Sequence, residues 1–121
     1  MPRDNRRAER VAAAIREEIA TALAGGVKDP RISPLTTVTG VEVTPDLRRA
    51  RVYVSVMQDD VKPTLEALNQ WGVQLRGPIG RALRLRLAPE FEFVRDDTAA
   101  RASRIESLLA QLRDGATPDP D

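Results

Sequence analysis

The stretch Trp71-Gly72-Val73-Gln74-Leu75-Arg76-Gly77-Pro78-Ile79-Gly80-Arg81-Ala82-Leu83 decides how this chain folds. It closes a helical pattern in which Leu65, Leu68, Gly72, Leu75, Ile79 and Leu83 share one face. Two breakers cut into that pattern. Gly72 follows Trp71, and Gly77 is followed by Pro78, which lacks an N–H and disfavours helix at the residue before it. Two helices with a sharp joint are therefore expected rather than one rod, the joint lying at Gly72 or at Gly77-Pro78. Pro63 suits the first turn of the leading helix, behind Asp59-Asp60.

Upstream of this segment the period changes from helical to alternating. In Arg49 to Met57, Ala50, Val52, Val54 and Val56 point one way and Arg51, Tyr53 and Ser55 the other, a half-buried strand. Leu35 to Thr44 is a second strand, with Val41 and Val43 in phase and Val38 out of phase, so a bulge is expected at Gly40. Thr44-Pro45-Asp46-Leu47 reads as the turn of an antiparallel hairpin. Before it, Val27 to Pro34 holds two prolines and forms a loop. The chain begins with a helix over Arg6 to Ala24, where Val11, Ala12, Ile15, Ile19, Ala22 and Leu23 recur at three- and four-residue spacing. Asp4 and Asn5 suit its N-cap, and Gly25-Gly26 stops it.

Downstream, Leu83-Arg84-Leu85-Arg86-Leu87 fits a helix end and a strand equally well. Phe91-Glu92-Phe93-Val94 is a short strand, and Thr98 to Leu112 has an apolar face of Ala102, Ile105, Leu108, Leu109 and Leu112 that predicts a last helix capped by Thr98. The elements run helix, strand, strand, helix, helix, strand, helix: an α+β domain with helices on one face of a three-stranded sheet. Residues 1–5 are expected to form a flexible N-terminus, 6–112 the domain and 113–121 a disordered tail.

At 121 residues there is room for one domain of ordinary size. With no Cys there is no disulfide, thiolate metal site or thiol nucleophile. With no His, the usual general acid–base and the usual transition-metal ligand are gone as well. The adjacent acids Asp59-Asp60 and Asp96-Asp97 fit caps and turns better than paired catalytic carboxylates. An enzyme is not expected, nor any catalytic residue, metal, cofactor or small-molecule substrate. No apolar run approaches the ~20 residues of a membrane helix, and Met1-Pro2-Arg3-Asp4-Asn5 lacks the apolar segment of a signal peptide, so a cytoplasmic protein with no membrane partner is expected.

The formal charge of +1 hides a polarised distribution. Residues 1–16 carry five Arg against two acids, and residues 72–88 carry four Arg with no acid, whereas residues 89–121 carry twice as many acids as bases. Arg3, Arg6, Arg7 and Arg10 have the i, i+3, i+4, i+7 spacing of one helix side, roughly opposite Val11, Ile15 and Ile19. Arg76, Arg81, Arg84 and Arg86 surround the expected joint, where the N–H groups of a free helix N-terminus would add to their pull on an anion. Guanidinium groups grip phosphate in a planar fork, and two such patches favour a polyanion over a single small phosphate.

The motif Gly77-Pro78-Ile79-Gly80 has the Gly-x-x-Gly form of the KH backbone clamp, which lets the chain approach four nucleotides. A helix–strand–strand–helix series precedes it, as in a type II KH-like fold. One reading is thus a general single-stranded RNA-binding KH protein that uses Gly77 to Gly80 as its clamp.

From about Arg7 to about Leu109 the chain also resembles the ribosome-binding factor A family. The resemblance is carried by Arg10-Val11-Ala12, Val27-Lys28-Asp29-Pro30-Arg31, Val41-Glu42-Val43-Thr44-Pro45-Asp46-Leu47 and Ala50-Arg51-Val52-Tyr53-Val54-Ser55. Gly80-Arg81-Ala82-Leu83-Arg84-Leu85-Arg86 is the most specific block, continued by Pro89-Glu90-Phe91-Glu92-Phe93, Asp96-Asp97 and Arg104-Ile105. The resemblance implies a type II KH-like fold of order α-β-β-α-α-β with an additional C-terminal helix. It implies a non-catalytic, monomeric factor that binds the small (30S) ribosomal subunit, assists late maturation and 16S rRNA 5′-end processing, and is needed most in the cold. Lys28 and Arg31 join the arginines above as expected RNA-binding residues. Family members have an Ala-x-Gly kink between the two middle helices; it aligns with Trp71-Gly72-Val73, which lacks the usual residues, and a customary glycine before Arg104-Ile105 is Ala102 here. Trp71 at that kink is expected to be a buried anchor rather than a platform for a base.

Overall fold

The computed structural model describes residues 2–57 and 61–96, residues 2–5 by their backbone only. Five elements follow one another: α1 (Pro2–Ala24), β1 (Thr37–Val43), β2 (Arg49–Ser55), α2 (Lys62–Ala82) and β3 (Glu90–Arg95). Helix α1 starts at Pro2, so Asp4 and Asn5 lie inside its first turns rather than ahead of them. It ends as expected at Gly25-Gly26, where the φ of +90° at Gly26 is one that glycine reaches without steric cost.

The sheet has the order β1-β2-β3. Strands β1 and β2 form the expected antiparallel hairpin, and the pairing slips between Val38 and Gly40, which makes Thr39 the extra residue of the bulge. Strand β3 pairs parallel to β2, so α2 is the crossover of a β-α-β unit. Helix α1 packs against β1 and α2 against β3. Between helices and sheet lie Ile15, Ile19, Val52, Val54, Leu68 and Phe93, each at most 2% exposed, so both helices cover one face. Each such side chain contributes roughly 1.5–3 kcal/mol by leaving water. Tyr53 points away from this layer yet is also buried, and its hydroxyl donates to Glu42 Oε1 at 2.8 Å.

The joint expected in the deciding segment does not exist. Helix α2 runs unbroken through Trp71-Gly72-Val73 and Gly77-Pro78 to Ala82, one helix where two were expected. Tertiary packing overrides the local signals. Gly72 is needed for contact, not bending: a Cβ there would stand 3.1 Å from Phe93 Cε1 and 3.3 Å from the Phe91 Cβ. Pro78 frees the carbonyl of Gln74, and both residues are exposed, so water can take up the lost bond. Ile79 and Gly80, next in the chain, are buried and hold this end of α2 to the domain.

Leu83 to Leu87 is neither more helix nor a strand but the cap of α2 and the loop to β3. The expected C-terminal helix over 98–112, the tail 113–121, Asp59-Asp60 and Asp97 lie outside the described residues. Among those described, no helix is long and apolar enough to cross a membrane.

Candidate nucleic-acid interface

The end of α2 is built as a Schellman motif. Arg84 N–H donates to the Arg81 carbonyl at 3.2 Å and Leu85 N–H to the Gly80 carbonyl at 2.8 Å, which reverses the chain after Leu83. The motif needs a left-handed residue, and that residue is Arg84, with φ of +56°. Glycine is usual at this position; a side chain there costs about 1–2 kcal/mol.

The reversal folds Arg84 and Arg86 back towards the helix. With Arg76 and Arg81 they line an open groove of about 560 Å³, which no acidic residue lines and which Val73 and Leu87 rim with exposed apolar surface. Arg76 is half-buried and donates from Nη2 to the Ala88 carbonyl at 2.8 Å, which ties the loop to the helix. Arg81, Arg84 and Arg86 are exposed and form no ion pair among the described residues. The anion attraction expected from a helix N-terminus is absent, because there is no second helix. The groove lies at a helix C-terminus, whose partial charge is negative, so any pull on phosphate comes from the guanidinium groups alone.

The N-terminal stripe lies at the same end of the sheet. Ala8 is buried while Arg6, Arg7 and Arg10 are exposed, as the periodicity requires. Ala8 and Ala12 line a cleft with Val43 and Pro45 at the β1–β2 turn, and Glu90 N–H, just after the groove, donates to the Arg48 carbonyl on the other side of that turn. Arg3 falls in the first turns of α1. Two further exposed arginines, Arg48 and Arg49, stand at this end, and the sequence reading passed over them. Only the topology, which sets the turn between the start of α1 and the end of α2, signals them.

Lys28 and Arg31 are not brought to this end. Arg31 binds Gln70 through Nη2 at 2.8 Å, and Gln70 precedes Arg81 by roughly 16 Å along α2. The Arg31 guanidinium is also engaged by Asp29, with Nε–Oδ1 of 3.1 Å and Nη2–Oδ2 of 2.8 Å. That pairing, with the Arg31 N–H, holds the Asp29 carboxyl below its ordinary pKa. Lys28 is exposed and shares a cavity with Gln70, Trp71 and Gln74. Trp71 is half-buried, its ring centroid 6.0 Å from that of Phe93, and packs on the core as an anchor.

Gly77-Pro78-Ile79-Gly80 forms no clamp. It lies inside α2, ahead of the helix end at Ala82, and a helix interior has no free N–H groups with which to cradle a nucleotide backbone. Among the described residues no cluster of acids is arranged to hold a metal ion.

Comparison with known proteins agrees in sequence and in fold. Residues 7–109 match the family model of ribosome-binding factor A. The ribosome-binding factor A of Gemmatimonas aurantiaca is 57% identical over 111 residues, which are 90% of this chain and 76% of that one. The crystal structure of ribosome-binding factor A from Thermus thermophilus superposes with a TM-score of 0.63 at 26% identity, covering 73% of this chain and 94% of that one. A homology model of the factor from the same organism, fitted into a cryo-EM map of a 30S complex, gives 0.52 at 28% identity over 67% of this chain and 90% of that one.

Proposed function

This chain belongs to the ribosome-binding factor A family, and on that premise we propose that it is a non-catalytic assembly factor of the cytoplasm. It binds the small (30S) ribosomal subunit as a monomer and assists late maturation and 16S rRNA 5′-end processing. The observation that carries the reading is the acid-free groove lined by Arg76, Arg81, Arg84 and Arg86, with Arg6, Arg7, Arg10, Arg48 and Arg49 at the same end of the domain. Arginines supply salt-dependent affinity for phosphates, and the shape of the folded rRNA supplies selectivity. A protein of this kind acts on the RNA equilibrium alone. By holding one rRNA arrangement more tightly than another it shifts the population towards the first, by no more than the difference between its two affinities.

Sedimentation with ribosomal particles tests this. The protein should co-migrate with free small subunits and not with bare oligonucleotides or mature ribosomes. Replacing Arg81, Arg84 and Arg86 with Ala should weaken subunit binding and flatten its salt dependence while the helical signal stays intact. Unchanged affinity in the triple variant would move the binding face away from the groove.

A further inference from the structure

Two residues other than glycine have a left-handed backbone among the described residues, Leu47 and Arg84. Their surroundings differ. Leu47 is half-buried in a turn cross-linked by Thr44, Asp46 and Arg48, so its conformation is offset by the packing and hydrogen bonds of that turn. Arg84 is exposed, and its guanidinium has no hydrogen bond or ion pair among the described residues, so no polar contact of its side chain offsets the conformation. Glycine would make the same two backbone bonds to Arg81 and Gly80 without the steric penalty. A strained residue whose charged group has no partner within the described domain points to a use outside the fold.

We propose that Arg84 is a phosphate-contacting residue, held in a strained cap so that its guanidinium stands over the groove, and that it binds a phosphodiester of the docked RNA strand; this rests on the reading above. The geometry accounts for the choice of arginine. The reversal after Leu83 sets Arg84 in the groove lining with Arg81, and the bond from Arg76 to the Ala88 carbonyl ties the returning loop to α2. A guanidinium on a fixed cap loses less freedom on binding than one on a free loop. The residue therefore trades stability for affinity.

The test uses the full chain and purified small subunits across a salt series. Arg84→Gly should raise the melting temperature by a few degrees, yet weaken subunit binding roughly tenfold and reduce the slope of log affinity against log salt by about 0.7–0.9. Arg84→Ala should lose the same affinity without the thermal gain. The Arg81→Ala/Arg86→Ala double variant is the reference for the groove as a whole. If Arg84→Gly keeps full affinity while the double variant loses it, the inference fails and the groove reading stands. If both keep full affinity, both fail. A melting temperature lowered by Arg84→Gly would also overturn the inference, because the cap would then hold no strain to release.

Discussion

Asn69 and Phe93 exchange two hydrogen bonds: Phe93 N–H donates to Asn69 Oδ1 at 2.8 Å, and Asn69 Nδ2 donates to the Phe93 carbonyl at 3.3 Å. Strand β3 is an edge of the sheet, and Phe93 is where its open side meets α2. The amide of Asn69 stands in for the next strand, satisfying the edge and blocking pairing with another chain. Asn69 Nδ2 also donates to the Leu65 carbonyl at 3.0 Å, which fixes the amide's orientation. Asn69→Ala should cost about 1–2 kcal/mol in urea denaturation, with the slope m unchanged. Asn69→Asp should cost more, because a carboxylate oxygen would then face the Phe93 carbonyl.

The glycines of α2 divide by what surrounds them. Gly72 is pressed against Phe93 and Phe91, and Phe93 is 2% exposed and cannot move aside. Gly72→Ala should therefore destabilise by about 1–2 kcal/mol net, overpacking outweighing the roughly 1 kcal/mol that alanine gains in a helix. Beyond its chain neighbours, a Cβ at Gly77 would meet the end of the flexible Arg81 side chain, at 3.4 Å. Gly77→Ala should be close to neutral, because the roughly 1 kcal/mol that alanine gains in a helix is offset where its Cβ crowds Pro78, so thermal melts should show a clear loss for Gly72→Ala alone.

Why these glycines differ also explains what the sequence could and could not disclose. The alternation Ala50, Val52, Val54, Val56 and the period of α1 were legible, because one-face burial leaves a direct trace in residue order. The bulge beside Gly40 was legible as a slip in that alternation. The unbroken α2 was not. Local rules count Gly77-Pro78 as a break, whereas the carbonyl it frees belongs to the exposed Gln74 and Ile79 and Gly80 beyond it are packed. In the candidate site, the acid-free run of arginines was visible as composition. The left-handed Arg84 was not, since glycine is the usual residue there, and neither was the tie of Arg31 to Gln70, 39 positions away.

The hairpin turn carries a pH dependence with a definite sign. Asp46 accepts from the Thr44 hydroxyl at 2.6 Å and from Arg48 N–H at 3.0 Å, and these bonds hold its carboxyl below its ordinary pKa. The folded value lies beneath the unfolded one, so the turn's contribution is complete above the ordinary value near 3.8 and is lost as pH falls through the depressed one. Asp46→Asn should melt below the parent at neutral pH, and the gap should close in acid. A gap that widened in acid would mean that the bonds favour the neutral carboxyl.

Arg31 differs from the groove arginines Arg81, Arg84 and Arg86 in having its guanidinium engaged within the domain. Its side chain is occupied by Asp29 and Gln70, and its carbonyl accepts from Thr64 Oγ1 at 2.8 Å, with Thr64 only 1% exposed. The exposed ion pair should matter little, and the buried hydroxyl more. Arg31→Ala is expected to lower the melting temperature slightly and leave small-subunit affinity unchanged. Thr64→Val is expected to cost about 1–2 kcal/mol, because the Arg31 carbonyl loses a partner that water cannot readily replace. If Arg31→Ala instead weakened binding as much as Arg81→Ala, the RNA-facing surface would have to extend along α2 to the loop before β1. The contact with Gln70 would then have to break when the particle docks.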